Sequence, residues 1–203
     1  MGITEIVKVG MKTQKVLVFG DTHMPTRTDS IPASFHEQIK QTRYNLALVT
    51  GDIVREQAMR AALPPLPKCY IVKGNMDYGH EYRFHEQLQI EGLNVLLLHG
   101  TQLRPRGSIK QFHEILCRVG ADIGIHGHTH KPTIDLLEGK LIINPGTISG
   151  ATSGWRGRDD ASFVELEISS SEVKVTLYIT DWDLVKKSEL LFRKKNGDML
   201  RSE

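Results

Sequence analysis

The chain has 203 residues, the length of one compact domain, with 39% hydrophobic and 25% charged side chains and no apolar run near the ~20 residues that cross a membrane. Lys and Arg number 26 against 24 Asp and Glu, and a formal charge of +2 supplies no general pull toward nucleic acid or anionic lipid. Two cysteines, Cys69 and Cys117, build neither a disulfide framework nor a four-thiolate zinc site, and with no signal-peptide pattern at the start the expected location is the cytoplasm.

Met1 to Gln14 lacks a strong period and is read as an N-terminal extension over 1–14; Ile6 stands where myristoylation of Gly2 needs Ser or Thr. Val16 to Phe19, Leu46 to Val49 and Cys69 to Val72 are short apolar runs, each closed by glycine with Asp or Asn, as buried parallel strands feeding loops are. Between them Phe35 and Ile39 lie four apart after Pro32, and Arg55 to Leu63 stops at a proline-rich break, so the opening reads βαβαβ. Tyr78 to Glu86 reads as a loop in which His80 and His85 face solvent. Val95 to Leu98 is a further strand, and Ser108 with Gln111 forms a capping box for a helix whose apolar face is Ile109, Phe112, Ile115, Leu116 and Val119. Ile123 to Ile125 is another short strand. Thr133 to Thr180 alternates like antiparallel strands with turns at Glu138-Gly139 and Ser169 to Glu172, and Trp155, Arg156 and Arg158 fall in an exposed glycine-rich loop. The pattern predicts one α/β domain over 15–185, two sheets face to face with helices outside, then a basic solvated tail over 186–203.

Each apolar run of the first two thirds stops at residues able to bind metal: Asp21 and His23, Asp52, Asn75, His99, then His128 and His130. Residues placed just past the carboxyl ends of strands converge on one rim of an α/β sheet, and the glycines beside them allow close backbone approach. Singly, each has an ordinary reading, an Asp as a turn residue and a His as surface or core. A candidate after strand upon strand does not. Four imidazoles, two carboxylates and one amide oxygen, with no thiolate, suit borderline divalent ions, Mn2+ first and Zn2+, Fe2+ or Ni2+ otherwise, better than Ca2+ or copper(I). Seven ligands exceed one ordinary site and suffice for two ions sharing a carboxylate. His126 points to the opposite strand face from His128, and His36 and His113 fall on solvated helix positions.

In this order, Asp21-x-His23, Gly51-Asp52, Gly74-Asn75-x-Asp77, His99-Gly100 and Gly127-His128-Thr129-His130 resemble the calcineurin-like metallophosphoesterase superfamily, over Lys15 to Thr180. Asn144-Pro145-Gly146 is similar to a turn of its small single-domain members. The resemblance implies a four-layer αββα sandwich of mixed parallel and antiparallel sheets. It also implies that Asp21, His23, Asp52 and His130 hold one ion, and Asp52, Asn75, His99 and His128 the other. The implied activity is hydrolysis of a small phosphodiester by a metal-bridging hydroxide, with Asp52, Asn75 and His99 as catalytic residues and Asp77 orienting a neighbour. Met76 departs from the Gly-Asn-His pattern of many members and cannot donate a proton to a leaving group. Val16 to Pro25 and Ser30 to Phe35 are also similar to the phosphoesterase-fold subunit of the retromer coat, which implies the alternative of a scaffold whose metal rim docks a helical-solenoid protein.

Overall fold

The computed structural model describes residues 13–79, 81–152, 154 and 157–202; the extension expected over 1–14 therefore lies, except for Thr13 and Gln14, outside the described residues, as do His80, Trp155 and Arg156. The first apolar run becomes β1 (Gln14–Phe19), whose Val16 and Val18 face one way and Leu17 and Phe19 the other, all four fully buried. A strand apolar on both faces needs cover on both, and here it has it. β1 pairs in parallel with β2 (Leu46–Val49), and β2 with β3 (Lys68–Ile71); α1 (Ala33–Gln41) and α2 (Glu56–Ala62) make the crossovers.

The second sheet contains β4 (His85–Ile90), β5 (Leu93–Leu98), β6 (Ile123–Ile125), β7 (Thr133–Leu137) and β8 (Lys140–Asn144), in the order β4-β5-β6-β8-β7. β4 escapes the apolar-run reading because it is an edge strand, and its exposed His85, Gln87 and Gln89 alternate with better-covered neighbours. α3 (Ile109–Val119) crosses from β5 to β6, buries Phe112 and Leu116, and leaves Val119 exposed. Ser108 caps it by accepting from Gln111 N at 3.3 Å; Gln111 does not return the bond but accepts from Arg104 N, tying the preceding loop instead.

The antiparallel strands of the later half divide between the sheets. The β7–β8 hairpin joins the second, whereas β9 (Ala161–Ile168) returns to pair with β1 and leads into β10 (Glu172–Thr180). The expected tail over 186–203 is corrected: β11 (Val185–Lys195) and β12 (Asp198–Arg201) extend the first sheet to seven strands, β12-β11-β10-β9-β1-β2-β3. β11 reads as a tail because seven of its eleven side chains, among them its whole first half, are exposed, while its backbone pairs with β10 from Val185 opposite Thr180 to Arg193 opposite Glu172. Phe192 and Met199 still reach the core between the sheets, and Lys194 Nζ bonds Asp122 Oδ2 at 2.7 Å across them.

Three apolar clusters therefore fill the spaces of a four-layer αββα sandwich: between the sheets, between the first sheet and α1 and α2, and between the second sheet and α3. β6 is held close to α3 by Gly124, where an added Cβ would sit 2.8 Å from both Leu116 and Phe112. Gly124→Ala should displace α3 and lower stability by roughly 1–3 kcal/mol, as overpacking does. Urea denaturation checks this; an unchanged midpoint would show that α3 has slack.

Candidate metal centre

Parallel pairing of β1 with β2, β2 with β3, and β5 with β6 brings the carboxyl ends of five strands to one rim. Asp21 and His23 follow β1, Asp52 follows β2, Asn75 follows β3, His99 ends β5, and His128 and His130 follow β6. Asp21 (φ 48°), His23 (φ 48°), Asp52 (φ 51°), His128 (φ 69°) and His130 (φ 62°) all take the left-handed backbone conformation that non-glycine residues rarely adopt. Such residues cost on the order of 1–3 kcal/mol each and persist where their surroundings over-determine them. The loops are packed tightly enough for that. A Cβ on Gly127 would lie 2.5 Å from Asp21 Oδ2, and one on Gly74 would lie 2.2 Å from Asp52 Oδ1.

The side chains meet in two groups, Asp21 with His23 and His130, and Asp52 with His99 and His128, the donor atoms within each lying no more than 4.8 Å apart. His23 Nε2 faces His130 Nε2 at 3.1 Å, and His130 Nε2 lies 3.4 Å from Asp21 Oδ1. Asn75 Oδ1 stands 3.2 Å from His99 Nε2. Between the groups, Asp52 Oδ2 is 3.6 Å from Nε2 of His23 and 3.6 Å from Nε2 of His99, while its Oδ1 accepts from Met76 N at 2.7 Å.

The atoms behind these donors set their direction. His99 Nδ1 lies 2.7 Å from Thr50 O and His130 Nδ1 lies 2.6 Å from Ala151 O, so a proton on each Nδ1 is donated to a carbonyl and the Nε2 lone pair is turned into the site. Asp77, fully enclosed, accepts from Asp52 N and Gly74 N on Oδ2 and from Ile53 N and Val54 N on Oδ1, each at 2.8 Å. One carboxylate thus clamps the loop after β2 to the loop after β3. Asn144, from the Asn-Pro-Gly turn, donates to Gly127 O at 3.1 Å and Thr129 Oγ1 at 3.0 Å, bracing the segment that carries His128. Thr147 and Ser149 donate to Asp21 O and Thr22 O.

The electrostatics call for a cation. Burial pushes the His23 imidazole down to about 3, and burial together with the neighbouring His99 pushes His128 down to about 4, so both rings are neutral near pH 7 with lone pairs free. Burial raises Asp21, but the imidazoles of His130, His99 and His23 outweigh it and hold its carboxyl below the ordinary range. Burial also opposes charge on His130, and Asp21 beside it prevails and raises it. Burial leaves Asp52 above the usual carboxylate value. Asp21 Oδ1 and His23 Nδ1 are enclosed without a hydrogen-bond partner among the described residues. Two imidazole nitrogens 3.1 Å apart, with a carboxylate oxygen 3.4 Å from one of them, make an enclosed cluster of nitrogen and oxygen donors that fits a divalent ion.

The remaining histidines among the described residues lie elsewhere. His126 is buried with its ring edge-on to Phe112 at 5.3 Å, under α3 and off the rim. His85 is exposed on β4, His36 is half-buried on α1, and His113 lies beside Cys117 and Glu138 and is more enclosed than its helical pattern suggests. Arg27 and Arg106, which periodicity does not single out, do reach the rim: Arg27 Nη1 donates to Thr152 O at 2.8 Å, 3.4 Å from His23 Nε2, and Arg106 donates to His128 O. Asp77→Asn should lower stability by at least ~2 kcal/mol, since an amide offers one acceptor oxygen where the carboxylate offers two and each unpaired buried N–H costs ~1–3 kcal/mol. It should also weaken Mn2+ binding. Urea denaturation and calorimetric titration test both, and wild-type values in both would show that the clamp is dispensable.

Comparison with known proteins agrees with this geometry. The model of the calcineurin-like phosphoesterase superfamily domain matches residues 14–171. A probable metallophosphoesterase from Methanothermobacter thermautotrophicus is 36% identical over 132 residues, 64% of this chain and 74% of that relative. Among solved structures, a single-residue variant of Vps29 from Entamoeba histolytica superposes with a TM-score of 0.80 at 30% identity, covering 89% of this chain and 99% of that one. Wild-type Vps29 of the same organism complexed with Zn2+ gives 0.76 at 30% identity, with 86% and 97% covered. With its layered fold, its rim of ligand-competent side chains and a family match over most of its length, the chain belongs to the calcineurin-like phosphoesterase superfamily.

Proposed function

We propose that the chain is a divalent-metal-dependent phosphodiesterase with a binuclear centre, in which Asp21, His23, Asp52 and His130 hold one ion and Asp52, Asn75, His99 and His128 the other. The observation that carries this reading is Asp52 Oδ2, equally distant from His23 Nε2 and His99 Nε2, one oxygen facing both groups. Mn2+ is the ion we favour, with Zn2+, Fe2+ or Ni2+ as alternatives; the Zn2+ complex of the Entamoeba relative supports a site of this kind taking a borderline ion.

When bound, such a pair lowers the pKa of a water molecule and takes up charge on the phosphoryl oxygens. The protein's own groups do the rest. Asn75, whose side-chain NH2 stays free while its Oδ1 faces the centre, flanks the position of the phosphoryl group and donates to its oxygens as charge develops; His99 beside it, its Nδ1 proton given to Thr50 O, would serve as a ligand and has no proton for the phosphoryl group. Arg27, beside His23, supplies a fixed cation at the same rim. Met76, following Asn75, has no proton to give, so the substrates this site handles are diesters whose leaving group departs without one from that position. We place this activity in the cytoplasm; no helix among the described residues is long and apolar enough to cross a membrane.

A second reading is favoured by the superposition with Vps29 over 89% of the chain: a retromer-like scaffold in which a helical-solenoid protein covers the rim at His23, Asn75 and His128. The two separate in one experiment. Protein loaded with Mn2+ should contain close to two ions per chain by elemental analysis and hydrolyse bis(p-nitrophenyl) phosphate faster than p-nitrophenyl phosphate. Asp52→Asn should reduce affinity for both ions by more than the ~10–100-fold that loss of an outer hydrogen-bond partner costs, and hydrolysis with it. Folded, metal-loaded protein with no diester hydrolysis above buffer would sink the enzyme reading and leave the scaffold.

A further inference from the structure

Next to Asn75 the rim opens into a cavity of about 630 Å³ lined by Lys73, Asn75, Tyr78, Phe84, Thr101 and Gln102. It shares a wall with the candidate centre. Asn75 lies on the loop after β3, Thr101 and Gln102 lie on the loop after His99, and Asn75 Oδ1 and His99 Nε2 stand 3.2 Å apart at the junction. Tyr78, 76% exposed, and Phe84, 74% exposed, are the two most exposed large hydrophobic side chains among the described residues, and both line this cavity. Isolated exposed apolar residues need no explanation, but two aromatic rings on one opening beside a candidate active centre do.

The backbone under both rings is tied down. Tyr78 directly follows Asp77, whose carboxylate receives four backbone N–H groups. Phe84 follows Arg83, whose carbonyl accepts from Lys73 N at 2.7 Å and which bridges to Val72. Rings exposed on an anchored backbone can be stacked upon at low cost in ordering. The wall is largely apolar, and the residues that line it include Lys73, Thr101 and Gln102, whose ammonium, hydroxyl and amide are donors and acceptors of the kind the edge of a heterocycle takes up. The volume is in the ~300–1,000 Å³ range of small-ligand sites, more than a base and its ribose need.

We infer that this cavity receives a nucleobase, so that one ester group of the diester is a nucleoside whose base stacks on Tyr78 and Phe84 while its phosphate lies over Asn75 and His99; this rests on the phosphodiesterase reading for the reaction, though not for binding. Stacking on an aromatic side chain is worth ~5–150-fold in affinity per base.

Two measurements on the full chain with Mn2+ test it. Calorimetry should find adenosine 5′-monophosphate bound at least ~10-fold more tightly than ribose 5-phosphate, with Tyr78→Ala and Phe84→Ala each cutting that ratio several-fold. Leu184→Ala, an exposed substitution in the turn between β10 and β11, should leave the ratio as it is. In turnover, the p-nitrophenyl ester of thymidine 5′-monophosphate should exceed methyl p-nitrophenyl phosphate in kcat/KM by a similar factor, chiefly through KM. Equal or unmeasurable affinity for the two phosphates, or a ratio untouched by both aromatic variants, overturns the cavity assignment. So does a preference for an octyl over a nucleoside ester. Base-dependent binding without hydrolysis of either ester overturns the phosphodiesterase reading alone and supports the cavity.

Discussion

The carboxylate of Asp77 has four backbone N–H groups aimed at it, three from consecutive residues after β2 and one from the loop after β3. Inside a protein a charged acceptor with every lone-pair direction used is a strong clamp, and removing it would strand several buried donors at once. Asp52 and Val54 both take left-handed backbone conformations under this clamp, so the strain at Asp52 is held by hydrogen bonds that its own N–H and its neighbours' donate to Asp77. The orientation of Asp52 Oδ2 between His23 and His99 depends on it, because Oδ1 is already engaged by Met76 N in the same junction.

A second brace serves the other half of the rim. The segment from Asn144 to Ala151 leaves β8 and lies across the loops after β1 and β6: Asn144 on Gly127 and Thr129, Thr147 on Asp21, Ser149 on Thr22, and the carbonyl of Ala151 behind His130. Most of these bonds involve backbone carbonyls. Ala151 O turns Nε2 of His130 inward as Thr50 O does for His99, and the site is left with converging nitrogen and oxygen donors that a proton on His130 satisfies in part and a divalent ion would satisfy further. A proton and a metal ion would therefore compete for the same atoms.

Much of this was legible in the chain. Short apolar runs ending in Gly-Asp, Gly-Asn or His-Gly mark buried strands with ligand-competent ends, and that pattern alone points to Asp21, Asp52, Asn75 and His99. The helix face of Phe112 and Leu116 and the turns at Glu138-Gly139 and Ser169 were equally readable, because periodicity and turn chemistry are local. β4 and β11 were not. β4 carries charged and amide side chains and β11 mostly charged ones toward the exposed margins of their sheets, and what makes them strands is backbone pairing with β5 and β10, which no side-chain period reports.

By itself the sequence determined which donors are present, their order, and that each stands at the end of an apolar strand, since those properties belong to residues a few positions apart. Only the tertiary structure decided that His23 and His130, 107 residues apart, face each other, that Asp52 lies between two groups, and that Asp77 serves backbone amides. It also decided that Tyr78 and Phe84 open onto the same cavity as Asn75. The physical reason is that these relations are set by the register of parallel strands in two packed sheets and by hydrogen bonds from loops distant in the chain, which take effect only once the sandwich has closed.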